Sequence, residues 1–97
     1  MKHYIIWKLK DSYTNEELDR IKSDAKRELE ALNGKIDGLI SLEIVTDLCE
    51  SSSGDMVLLS EFTDYDSFIA YRTHPLHVAA ADKYVRPFIA DRVAADF

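Results

Sequence analysis

Two short segments of this chain are apolar on both sides of a β-strand's alternation, and that feature limits its folds more than any other. In the first, Ile5, Trp7 and Leu9 alternate with Tyr4 and Ile6; in the second, Val57 and Leu59 alternate with Met56, Leu58 and Phe62. Successive side chains of a strand point to opposite faces, so each segment needs apolar cover on both. A short chain has few elements with which to supply it. The remaining periodicity shows what is available.

His3 to Leu9 is β-branched and aromatic, which suits a strand. Thr14 and Glu17 have capping-box spacing at the start of a helix carrying Leu18, Ile21, Ala25, Leu29 and Leu32 on one stripe, closed by Asn33-Gly34. A second strand is expected over Leu39 to Leu48, with Ile40, Leu42, Ile44 and Leu48 on one face. Cys49 to Asp55 reads as an exposed, mobile hairpin loop with nothing to bury. Met56 to Phe62 forms the third strand. Asp64 caps a short helix with Tyr65, Phe68, Ile69 and Tyr71 at apolar positions, Pro75 starts another running to Tyr84, and Ile89 to Phe97 is the fourth strand.

The order is β-α-β-β-α-β, the ferredoxin-like pattern of four antiparallel strands with helices on one face, in a single domain over residues 1–97. Strands one and three are central in that topology, and the helices cover only one of their faces. An apolar patch left on the other face is best closed by a second copy, sheet against sheet, giving a homodimeric α+β barrel.

Composition narrows the partners. A net charge of −6 without a basic stripe argues against nucleic acid and anionic membrane. No apolar run approaches the roughly 20 residues that span a bilayer. The single cysteine, Cys49, cannot form an internal disulfide, and its neighbours Asp47 and Glu50 oppose a reactive thiolate. With no signal-like N-terminus, the expectation is a soluble cytoplasmic protein.

Lys2 to Lys10, Gly34-Lys35-Ile36-Asp37-Gly38, Ser60-Glu61-Phe62, Tyr71-x-x-His74-Pro75-x-His77-Val78 and Val85-Arg86-Pro87 recur in an order that resembles the stress-responsive A/B-barrel (Dabb) family, over essentially the whole chain. The resemblance implies the same dimeric barrel. Some plant members cyclise polyketides without a metal or cofactor, using a tyrosine and a histidine that match Tyr71 and His77, with a further histidine matching His3. This chain departs from them in having no histidine at the start of the third strand and Ala25 in place of a tyrosine.

The candidate catalytic residues are therefore His77, Tyr71 and His3, and the candidate substrate-binding residues are Trp7, His74 and Arg86. Each has a structural alternative. His77, two residues past Pro75, sits where a helix N-terminus disfavours an imidazolium and so keeps a neutral base, or it simply holds the helix break. Tyr71 donates to an enolate oxygen or belongs to the core. His74, just before Pro75, suits a cap, and Arg86 suits a ligand carboxylate or an ion pair with an acid. His74, His77 and Asp82 lack a further firm ligand, so no metal is expected, and no cofactor motif is present. Two readings follow: a barrel that binds a small organic molecule without chemistry, favoured by the breadth of functions this fold carries, and a cofactor-independent proton-transfer enzyme. A cleft lined by His3, Tyr71 and His77 would favour the second, and a filled core the first.

Overall fold

Capping chemistry sets the helix starts. Thr14 Oγ1 accepts from the Glu17 N–H at 3.2 Å, and the Glu17 carboxylate accepts from the Thr14 N–H at 3.0 Å. This capping box opens α1 (Asn15–Glu30), whose Ile21, Ala25 and Leu29 are buried. The computed structural model describes residues 1–97. It comprises β1 (Lys2–Leu9), α1, β2 (Leu39–Val45), β3 (Met56–Phe62), α2 (Tyr65–Arg72), α3 (Pro75–Tyr84), a 3-10 turn (Arg86–Phe88) and β4 (Ile89–Asp96). The ferredoxin-like βαββαβ order is as expected.

The sheet runs β2-β3-β1-β4, antiparallel throughout, so β1 and β3 are the central strands. His3, Ile5, Trp7 and Leu9 of β1 and Met56, Leu58, Ser60 and Phe62 of β3 are buried beneath the helices. On the opposite face Tyr4, Ile6, Val57, Leu59 and Val93 form an apolar surface that the helices do not cover. Ile6 is 49% exposed and Val93 66%. Phe97 extends this surface by packing edge-on against Tyr4, with ring centroids 5.3 Å apart.

One outer edge of the sheet is satisfied by side chains. Asn33 Nδ2 donates to the Leu42 carbonyl and Asn33 Oδ1 accepts from the Leu42 N–H, both at 2.8 Å. Two residues on, the Glu30 carboxylate accepts from the Ile44 N–H at 2.9 Å and Lys26 Nζ donates to the Ile44 carbonyl at 2.7 Å. The end of α1 thus stands in for a fifth strand along β2 and removes an aggregation-prone edge. The other edge strand, β4, has no such cover, and only Ile89 in it is even partly buried.

Three sequence expectations need correction. The second strand ends at Val45, short of Leu48, and its register shifts between Leu39 and Ser41. This bulge puts Leu39, rather than Ile40, in the core with Leu42 and Ile44, and leaves Ile40 57% exposed. In α2 only Phe68 and Tyr71 reach the core; the two-turn helix buries one side, leaving Tyr65 and Ile69 outside. The loop over Cys49 to Asp55 is anchored at its end: Asp55 N–H donates to the Trp7 carbonyl at 2.8 Å, the Asp55 carboxylate accepts from the Leu9 N–H at 2.7 Å, and Gly54 lies against Ile6.

Candidate functional site

The helices pack chiefly over β2 and β3. A cleft of about 890 Å³ opens between them and the β1–β4 side of the sheet, with Ile5, Trp7 and Leu58 on its sheet side and Phe68, Tyr71 and His77 on its helix side. Its size lies within the range of about 300–1,000 Å³ typical of small-molecule sites.

Tyr71 and His77 meet because Pro75 breaks the chain between them. Pro75 cannot continue α2, and the residues around it turn the chain into α3, with His74 as its N-cap. The Tyr71 and His77 rings then stack with centroids 4.0 Å apart. His77 Nδ1 lies 3.3 Å from the Arg72 carbonyl oxygen. A carbonyl only accepts, so Nδ1 carries the hydrogen and Nε2 keeps its lone pair. Burial depresses the His77 pKa, which leaves the ring neutral near pH 7.

Tyr71 is 2% exposed overall, and burial drives its pKa far above the ordinary phenol value, so it stays protonated. Its hydroxyl has no hydrogen-bond partner in the protein, yet it is not sealed from solvent, which means that it opens onto the cleft. His3 is held across the cleft. Its Nδ1 bonds the Asp96 carboxylate, the neighbouring position on β4, and its ring packs on Phe68 at 4.5 Å between centroids. The carboxylate only accepts, so His3 Nδ1 carries the hydrogen of this bond.

The profile of the stress responsive A/B barrel domain matches residues 1–97. This chain belongs to that family. Among solved structures, the A/B barrel domain is similar to a dimeric protein of unknown function and ferredoxin-like fold from Bacteroides fragilis, at 31% identity over 99% of this chain and 92% of that one, with a TM-score of 0.90. It is also similar to a Dabb family protein with a ferredoxin-like fold from Mesorhizobium loti, at 25% identity over 99% and 92% of the two chains and a TM-score of 0.74. A hydroxynitrile lyase from Passiflora edulis shares the fold at 16% identity, over 97% and 87% of the two chains, with a TM-score of 0.71. No curated protein matches the chain.

In this A/B barrel domain, His3, Trp7, Tyr71, His77 and Arg86 all line the cleft. His74 does not. Its Nδ1 accepts from the Leu76 N–H at 3.1 Å, so the ring is committed to capping α3. Arg86 is ion-paired with Asp82 one helical turn away, and its charge acts on both Tyr71 and His77. Sequence reasoning missed Arg72, Arg92 and Asp96. Arg72 lies within the Tyr71–Val78 stretch itself; Arg92 and Asp96 acquire a place in the site only through the β1–β4 register, which pairs them with Trp7 and His3.

Proposed function

We propose that this A/B barrel domain acts as a homodimer that takes a small organic molecule into the cleft, where His77 and Tyr71 carry out proton transfer on it without a cofactor. The observation that carries the reading is a neutral His77 with a free Nε2 beside a protonated Tyr71 hydroxyl, both opening onto one cavity. For a carbonyl compound, Nε2 takes a proton from the carbon next to the carbonyl. The electron pair of that C–H bond moves onto the oxygen, and the Tyr71 hydroxyl hydrogen-bonds the resulting enolate. His3, fixed by Asp96, adds a second imidazole to the cleft lining. The same overall fold in a hydroxynitrile lyase is compatible with chemistry in such a domain.

The dimer is supported by the uncovered apolar face of the sheet and by the dimeric relative from Bacteroides fragilis. A cytoplasmic setting is part of the same proposal, in keeping with a single free cysteine. Deuterium exchange into the carbon between the carbonyls of ethyl benzoylacetate, followed by proton NMR, tests the chemistry. Exchange faster than in buffer, and lost in His77→Ala, is the expected result. Binding of the probe with no acceleration would leave a binding domain without chemistry.

A further inference from the structure

We infer that the cleft selects organic anions, taking a carboxylate at its mouth and an apolar body inside. The inference rests on the small-molecule reading above and adds the class of ligand. The whole chain is acidic, with 18 Asp and Glu against 12 Lys and Arg. The cleft reverses that balance: its charged lining residues are Arg72, Arg86, Arg92 and Asp96. The one carboxylate among them is already hydrogen-bonded to His3. Arg72 and Arg92 form no ion pair at all.

These arginines reach the cleft from three separate elements. Arg72 ends α2, Arg86 opens the 3-10 turn and Arg92 lies on β4 opposite Trp7. Neither helix periodicity nor strand alternation groups them; only the tertiary fold does. Guanidinium groups suit a carboxylate because their planar donors engage both oxygens, and their charge persists at any physiological pH. Arg86 is paired with Asp82, but both side chains of that pair are more than half exposed, so the pair exchanges readily with a ligand. Behind the arginines, Ile5, Trp7, Leu58 and Phe68 offer an apolar interior. A ligand matching both parts has a hydrophobic or aryl body ending in an acid. An acid held there shares the cleft with Tyr71 and His77, as a carbonyl substrate of those residues must.

Calorimetric titration with matched pairs tests the class directly: 3-phenylpropanoate against 3-phenylpropanamide, and 1-naphthylacetate against its amide. Each acid should bind at least about tenfold more tightly than its amide, the scale of a charge-assisted hydrogen bond. That margin should shrink with added salt, and fall to the share that Arg86 alone supplies in an Arg72→Gln, Arg92→Gln double variant, whose substituted side chains are exposed and whose melting temperature should match the wild type. Amides binding as tightly as acids would overturn the anion preference and leave the small-molecule reading standing. A margin unchanged in the double variant would overturn the role of these arginines. Binding of neither acid nor amide would overturn both the inference and the reading beneath it.

Discussion

The Arg72 carbonyl fixes the tautomer of His77 from within the helix break itself, at 3.3 Å from Nδ1. The base is therefore oriented by backbone, which no side-chain substitution removes. His77→Ala should reduce proton-transfer turnover by about 10²–10⁴ with the fold and assembly retained, and Tyr71→Phe should cost less, because it removes one donor and no volume. Circular dichroism and turnover measured on both variants decide it; a variant of His77 that only lowers thermal stability makes the residue structural.

Acid should destabilise the protein through His77. Its folded pKa is depressed by burial, while the unfolded side chain titrates at about 6.5. Above that value both states are neutral and the stability is fully present. As pH falls toward and through the folded value, the unfolded state takes up a proton that the folded ring resists, and stability declines. Melting temperatures between about pH 8 and pH 5 should drop less in His77→Gln than in the wild type; parallel curves would contradict this. Turnover should fall over the same acidic range as the base is protonated.

The apolar face of the sheet should be an interface. Val57 stands between Ile6 and Val45 on that face. Val57→Lys should convert a dimer into a monomer or an unfolded chain, as measured by light scattering at micromolar concentration, since obligate dimers often lack a stable monomer. A wild-type protein that runs as a folded monomer removes the premise.

The two positive-φ glycines should respond differently to alanine. Gly34 (φ 80°) has nothing within 4 Å of an added Cβ, whereas at Gly38 (φ 84°) that atom would lie 2.4 Å from the Ser67 side chain. Gly34→Ala should cost about 1–2 kcal/mol, the conformational penalty alone. Gly38→Ala should cost clearly more, because the start of α2 must also move. Equal losses in chemical denaturation would show that the contact with Ser67 yields freely.

In the β2–β3 loop, the tip and its end should separate. Ser51, Ser52 and Ser53 are exposed, and shortening them should barely change the melting temperature. Asp55→Ala should cost about 1–3 kcal/mol by stranding the Leu9 N–H. A large loss from shortening the serines would mean that the tip packs in the dimer.

Element order was legible because it rests on local signals: the Thr14–Glu17 box, Asp64, Pro75, and alternation in β1 and β3. The bulge at Ile40 was not, since a strand pattern read at strict period two assigns Ile40 inward and has no means of inserting a residue. Tyr71 and His77 could be singled out because they match positions that the family resemblance points to, and because only a short stretch around Pro75 separates them. The cleft's other wall depends on which residue of β4 lies opposite His3, and no local rule states that pairing. His74 was recognised both as a cap and as a binding residue; once the break is formed, the bond to Leu76 decides for the cap.

The bond from His3 to Asp96 joins residues 93 positions apart, and β1 has β3 and β4 as its two sheet neighbours. On a ribosome, β1 is made first and its second neighbour last. β1 can pair with β3 once Phe62 has been made, but its other edge stays open until β4 follows. A sheet of this topology closes slowly and exposes sticky surface meanwhile. Production of this protein should accordingly depend more on chaperone capacity during translation than the stability of its finished fold would suggest.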